Sequence, residues 1–473
     1  MHPIPDRPFG TIARAPARAA GLIVVLATFW PGYAMALPTF NRQTGQNCQA
    51  CHAGGQFPEL TPYGRLFKLT GYTLGERTLP FSAMAVASAS RVSDTSRSDD
   101  PGADFQKNNA LIFSGASVFA AGKITDNVGA FLQVTYDNYA AQSDDGKFHG
   151  HTSADNMDIR YADRLINSSH DLIWGVSVNN NSSISDVWNT AAAWMQYVPV
   201  PSPTSSRFID GTAPYPGFAA GGNIAGVSAY VFWNQRLYLE AGGYRTANGV
   251  ASFMSAGVAN ADKTRLDGIN PYWRVALSHE WGPHNIMVGA SGMTADVFND
   301  PLDTSDPTSL HRFTDVGIDS HYQYLLDPHS VTVQLAYMRD RHRVPAFLAN
   351  LPVEDVNGDP LPATNAADTT KVFRVKASYV YEARYGASLS FFNQIGSTDS
   401  ALYDPTRVGG NISSNPAVRG ETIEVFLTPV QYVRLGLQLT AYGRYNGAAH
   451  NYDGFGRNAN DNNSLFFYVW GAY

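Results

Sequence analysis

Charge is scarce in this chain. Asp, Glu, Lys and Arg make up 15% of its 473 residues, against about 25% in an ordinary soluble domain. Cysteine is scarcer still, with 2 residues in all. Beyond the N-terminus no stretch approaches the ~20 apolar residues of a spanning helix, so a membrane-embedded form would have to be a barrel. The formal net charge is −7, the wrong sign for a nucleic-acid surface. What the chain does have is 25 Tyr, 25 Phe and 42 Gly. That mixture suits a large all-β protein with aromatic girdles. It does not suit a long helical bundle, for which the Ala/Glu/Lys/Leu/Arg share is too low.

The first 36 residues read as a secretory signal. Arg7, Arg14 and Arg18 precede an apolar run from Ala19 to Trp30, and Ala34-Met35-Ala36 is a small-x-small cleavage site. The apolar run is too short to span a membrane comfortably. Cleavage would start the mature chain at Leu37 and remove Arg7, Arg14, Arg18 and Asp6. The remaining 437 residues carry 30 basic and 39 acidic side chains, a net −9.

Both cysteines fall in Cys48-Gln49-Ala50-Cys51-His52. Cys-x-x-Cys-His is the attachment pattern of c-type haem. Its two thiols add to the porphyrin vinyl groups, and the adjacent imidazole is a standard axial ligand to the iron. With both cysteines used, no disulfide framework remains. A zinc site would need two more ligands, and residues 37–80 contain no second His and no third Cys. A thioredoxin-type redox pair would need a βαβ context, which is missing. The expectation is one covalent haem c, held by Cys48 and Cys51 with His52 on the iron. Export agrees with this, since c-type attachment takes place outside the bacterial cytoplasm.

Residues 37–78 form the haem segment. Thr61 is placed to N-cap a short helix with Pro62 at its first position, and Gly71 to end it. Tyr63, Leu66 and Phe67 then share one apolar stripe, available to a porphyrin or to a wall. About forty residues cannot build a stable core alone, so the segment is expected to act as a plug or cap leaning on the rest of the chain. No sixth ligand is evident within it. Lys68, Met84 and His321 are the candidates, beside an open coordination position.

From Leu79 the periodicity is two. Val433, Leu435, Leu437 and Leu439 alternate with Arg434, Gln438 and Thr440. Val331, Val333 and Leu335 alternate with Thr332 and Gln334. Val128, Ala130, Leu132 and Val134 alternate with Gly129, Gln133 and Thr135. Phe373, Val375 and Ala377 alternate with Arg374, Lys376 and Ser378. A face of Arg, Lys, Gln and Thr fits a water-filled barrel with a lipid-facing exterior, not a sandwich core. Strands are predicted at 79–92, 109–124, 127–140, 153–166, 170–181, 224–233, 236–247, 268–281, 284–297, 311–325, 329–342, 370–382, 385–396, 421–427, 432–446 and 462–473. The fold class is therefore an all-β, about 16-stranded antiparallel outer-membrane β-barrel over 79–473, with a small N-terminal haem-binding segment.

The connections alternate short and long, as periplasmic turns and outer loops do in such barrels. Both chain ends fall on the short-turn side, which puts the haem segment in the periplasm or inserted from there. The longest loop, 182–223, holds Trp188, Trp194 and Phe208. It reads as a constriction or dock beside the haem, or as a surface flap. Acids gather in the long loops: Asp99-Asp100, Asp144-Asp145, Asp300/Asp303/Asp306, and Glu354-Asp355 with Asp359. Carboxylates suit hard cations, but solvated loop charge is the simpler explanation. Asp355 to Asp359 lacks the full spacing of a calcium loop. His321 shares a face with Asp315, Asp319 and Gln323, so it should look into the lumen near the periplasmic end. Met84 shares a face with Ser82, Ser88 and Ser90 near the same rim.

The haem segment resembles the outer-membrane monohaem cytochrome–porin fusions of bacterial iron oxidisers. The resemblance rests on Thr44-Gly45, Cys48, Cys51, His52, Phe57-Pro58-x-Leu60, Gly64-Arg65-x-Phe67-Lys68 and Gly71-Tyr72. It is specific over about thirty residues and only architectural over the barrel. It implies electron transfer from an extracellular donor, Fe(II) in those relatives, to periplasmic c-type cytochromes or other carriers, and with it a possible Fe(II) oxidase activity. Cys48, Cys51 and His52 carry over directly; a distal ligand does not. Two other readings remain open. One is a conduit for a different donor or acceptor. The other is a diffusion porin whose haem segment is a structural or sensory plug.

Overall fold

The computed structural model describes residues 38–55, 59–94, 108–142, 148–188, 223–257, 264–350, 353–354, 360–361, 363–403 and 411–473. The signal and cleavage site, Phe57-Pro58, Trp194, Phe208, Asp99-Asp100, Asp144-Asp145 and Asp355 to Asp359 lie outside these residues.

Eighteen strands are assigned: β1 (Phe81–Val92), β2 (Leu111–Lys123), β3 (Val128–Gln142), β4 (Phe148–Ile166), β5 (Asp171–Asn179), β6 (Ile224–Trp233), β7 (Leu237–Thr246), β8 (Asn270–Trp281), β9 (His284–Phe298), β10 (Leu310–Leu326), β11 (His329–Arg343), β12 (Val353–Glu354), β13 (Pro360–Leu361), β14 (Ala367–Tyr381), β15 (Tyr385–Gly396), β16 (Val418–Val430), β17 (Val433–Arg444) and β18 (Ser464–Ala472). All but β12 and β13 close into one antiparallel barrel of sixteen strands, in which β1 pairs with both β2 and β18. β12 and β13 form a separate two-stranded ribbon between β11 and β14.

Every predicted strand has its counterpart, with the ends of 224–233 and 385–396 as predicted and the others shifted at one or both ends. β4 begins five residues before the predicted 153, because it continues pairing with β3 up to Phe148 opposite Gln142. That extension is mostly polar and carries no alternation to read. β16 likewise runs three residues further at each end than the predicted 421–427.

The barrel is inverted relative to a water-soluble core. On β17, Leu437 and Leu439 are exposed while Arg434, Gln438 and Thr440 are buried. Ile423 and Val425 are exposed on β16 beside buried Thr422 and Glu424, and Val316 and Ile318 on β10 beside buried Asp315 and Asp319. Each exposed aliphatic chain forgoes about 1.5–3 kcal/mol of burial in water, so a continuous belt of them suits hydrocarbon. Trp233, Trp281, Tyr379, Tyr381 and Tyr385 stand exposed next to the short turns, the position of an interfacial aromatic girdle. At the hairpin tip between β6 and β7, Asn234 and Gln235 both take positive φ, 49° and 55°, as a two-residue I′ turn requires.

Among the described residues three short α-helices precede the barrel: α1 (Pro38–Thr44), α2 (Cys48–Cys51) and α3 (Pro62–Leu69). They sit inside the barrel at its short-turn end. The Gln43 amide donates to the carbonyls of Tyr72 and Leu74 at 2.6 and 2.8 Å, and its oxygen accepts from the β2 backbone at Lys123. The Tyr72 hydroxyl donates to Asp158 on β4 at 2.6 Å, and Tyr230 on β6 donates to the Leu69 carbonyl at 2.6 Å. Phe40, Phe67 and Tyr72 pack on one another and reach Phe131 on β3. Phe131 thus breaks the expected polar inner face of β3 where the plug docks. Phe67 likewise leaves the stripe predicted with Tyr63 and Leu66 and turns into this aromatic cluster.

Candidate functional site

α2 is a single helical turn. Asn47 caps it, its side chain accepting from the Ala50 amide. One turn brings the two thiols to the same side, and the cysteines are not bonded to each other. The Cys48 thiol donates to the Gln431 side chain at 3.4 Å, in the short turn between β16 and β17. Cys51 is half-buried, and burial, with Cys48 beside it, pushes its thiol up to about 11. His52 follows in extended conformation and pairs with Leu60 in an isolated antiparallel bridge.

α3 crosses α2 at Gly64. A Cβ there would lie 2.1 Å from the Cys51 carbonyl oxygen, so only glycine allows the approach. The crossing is fixed by Thr61. Its amide donates to the Cys51 carbonyl at 2.9 Å, its hydroxyl donates to the Ala50 carbonyl, and the same hydroxyl caps α3 at the Gly64 amide. The predicted cap at Thr61, Pro62 at the first position and a stop at Gly71, with φ of 69°, are all present.

Electrostatics favour a neutral His52. Burial pushes its imidazole down to about 4, against the opposing pull of Glu59, so at neutral pH a ring nitrogen keeps the lone pair that iron ligation needs. Glu59 itself is buried, which raises its carboxyl. The Lys376 ammonium at 2.7 Å outweighs that, and the net shift is downward. Arg65 donates to the Leu60 carbonyl, to Gln323 on β10, to Asn285 on β9 and to Glu280 on β8. Glu280 is exposed, so solvent screens its pairing with Arg65; the bonds to Leu60, Gln323 and Asn285, with the Glu59–Lys376 pair, hold the segment in place.

The 182–223 loop begins by folding inward. Asp186 accepts from Lys68 through its backbone carbonyl at 2.8 Å, and Trp188 is fully buried against Tyr238 and Phe232. Trp188, Phe232, Tyr63, Leu66 and Leu69 line a hollow of about 160 Å³, open on one side. Tyr63, on the rim of this hollow, also lies close enough to Cys51 to feel its charge. The start of this loop packs inward, and residues 189–222, on which the choice between constriction, dock and flap turns, lie outside the described residues.

His321 faces the lumen as predicted and is fully buried. Neither of its ring nitrogens has a hydrogen-bond partner among the described residues. A buried polar atom left unmade costs about 1–3 kcal/mol. By contrast, lumen-facing His311 and His342 meet each other at 2.8 Å. Met84 is engaged elsewhere, its sulfur accepting from the Trp470 indole at 3.4 Å. So is Lys68, whose ammonium is the Asp186 donor. Asp300, Asp303 and Asp306 each accept from the backbone of their own turn, and no cluster of metal-ligating type occurs among the described residues.

The Glu59–Lys376 pair and the role of Arg65 as a bridge from plug to wall were missed from sequence. The available signal was charge: Glu59 and Arg65 interrupt an otherwise apolar stretch, and Lys376 lies on an inward face.

No protein-family model matches the chain, and no curated protein matches it. Solved structures do. OmpF of Salmonella typhi has 10% identity and a TM-score of 0.45 over 83% of this chain and 97% of its own. The outer membrane channel DcaP of Acinetobacter baumannii has 11% identity and a TM-score of 0.42 over 83% and 96%. The anion-selective porin from Comamonas acidovorans has 10% identity and a TM-score of 0.39 over 83% and 98%. The barrel assignment here rests on the strand pairing itself.

Proposed function

We propose that the chain is an outer-membrane c-type cytochrome–porin. It would pass electrons between an extracellular donor, best matched by Fe(II), and a periplasmic cytochrome or other carrier. The observation that carries this reading is the attachment turn. Two thiols on one helical turn, not bonded to each other and followed by a half-buried imidazole, are held inside a membrane-type barrel. The residues present fit a haem c: Cys48 and Cys51 would hold it and His52 would bind the iron. The apolar hollow lined by Tyr63 is smaller than a porphyrin, so the group would extend past it.

When bound, the haem supplies one-electron redox chemistry. The protein's part is to hold His52 neutral, to keep water from it, and to fix α2 against the wall through Gln431, Thr61 and Gly64. Short turns mark the periplasmic side of such barrels, so the half-buried Cys51 and Tyr63 would offer an edge to a periplasmic partner. The hydrocarbon core is about 30 Å thick. A single haem near one end leaves most of that distance to the donor, which must enter the lumen from the long-loop side.

The test uses intact cells with the haem oxidised. External Fe(II) should reduce it faster than a membrane-permeant reductant of equal driving force. Equal rates, or reduction only after lysis, would overturn the conduit.

A further inference from the structure

Resting on the haem attachment proposed above, we infer that His321, on the barrel wall, is the second axial ligand of the iron. His321 is fully buried, and both ring nitrogens lack hydrogen-bond partners among the described residues. An imidazole in that state is unusual, because buried polar groups are nearly always paired. The lumen's other deeply buried histidines, His311 and His342, share a hydrogen bond at 2.8 Å.

The surroundings of His321 tie it to the attachment turn. His52 bridges to Leu60, and Arg65 donates to the Leu60 carbonyl and also to Gln323, two residues from His321 on the same face of β10. The charge of Glu59 reaches both His52 and His321, and that of Arg65 reaches His321. Both imidazoles thus lie within electrostatic reach of the Glu59 carboxylate, His52 on the plug and His321 on the wall it docks against. Rivals for the position have other work. Met84 accepts from Trp470, and Lys68 donates to Asp186. A ligand from the wall would fasten the N-terminal segment to the barrel through the iron, so redox centre and scaffold would be linked by a bond as well as by ion pairs.

Purified full-length protein in detergent tests this. Wild type should stain for covalent haem and, oxidised, give the electron paramagnetic resonance spectrum of two imidazole ligands. His321→Ala should keep the stain and the heat-modifiable mobility of a folded barrel, yet become high-spin and bind carbon monoxide when reduced. Added imidazole should restore the low-spin spectrum. His321→Met should stay low-spin with a raised potential, since a thioether raises it. A stained, folded His321→Ala with an unchanged low-spin spectrum would overturn the assignment and leave the attachment standing. So would a thioether or amine signature in wild type, whether or not the variants fold. Absence of stain from wild type would overturn the attachment itself and this inference with it.

Discussion

At the scale of single residues, chemistry that depends on adjacent positions was readable and chemistry that depends on folding was not. The Thr61–Pro62 start of α3 obeys local capping rules and is present as read, and Cys48, Cys51 and His52 lie within five positions, so the haem proposal could be framed from sequence alone. Glu59 and Lys376 are 317 positions apart and meet only through the fold. Gly64 belongs between these cases: the sequence shows a glycine inside a helix, and only the structure shows the Cys51 carbonyl that requires it. Gly64→Ala should therefore push α3 off the attachment turn. A clash of this kind costs about 1–3 kcal/mol, and the plug, being small, should register it more than the barrel. The expected outcome is faster limited proteolysis within 38–78 with unchanged barrel mobility on electrophoresis. Proteolysis at the wild-type rate would mean that the helix crossing tolerates a methyl group and contributes little.

Among the elements, alternation carried the reading. Sixteen strands could be placed because lipid outside and polar side chains inside impose a period of two over strands of nine to nineteen residues. The pattern failed where other interactions replace that contrast. Phe131 faces inward because the plug supplies Phe40 and Tyr72 for it to meet. The polar start of β4 is held by pairing with β3 and by a hydrogen bond between the His151 ring and the Ala256 carbonyl. The inward turn at Asp186 and Trp188 has no local signal, since its partners Lys68, Tyr238 and Arg274 lie on other elements. The strand order also sets a topology. The turn at Asn234 lies at the plug end, and the loop around Leu302 and Asp303 lies at the other. A protease site inserted after Leu302 should be cut on whole cells, and one inserted at Asn234 should be cut only after the outer membrane is permeabilised. Cleavage in the reverse order would turn the barrel over and remove the proposed periplasmic contact.

The whole molecule joins two parts that depend on each other. A segment too short for its own core is held by Gln43, Glu59, Arg65, Lys68 and Tyr72 to strands and loops around the lumen. The barrel in turn receives at its short-turn end a body that fills what would otherwise be open. That arrangement makes sense as a redox device only if the attachment turn carries its group. The most direct measurement is the intact mass of the purified mature chain, with haem staining after denaturing electrophoresis, for wild type and for the double variant Cys48→Ala, Cys51→Ala. One haem added to the wild-type mass and a stained band are expected, with neither in the variant. A wild-type chain exported by cells competent in cytochrome c maturation, with the bare polypeptide mass and no stain, would contradict the proposal.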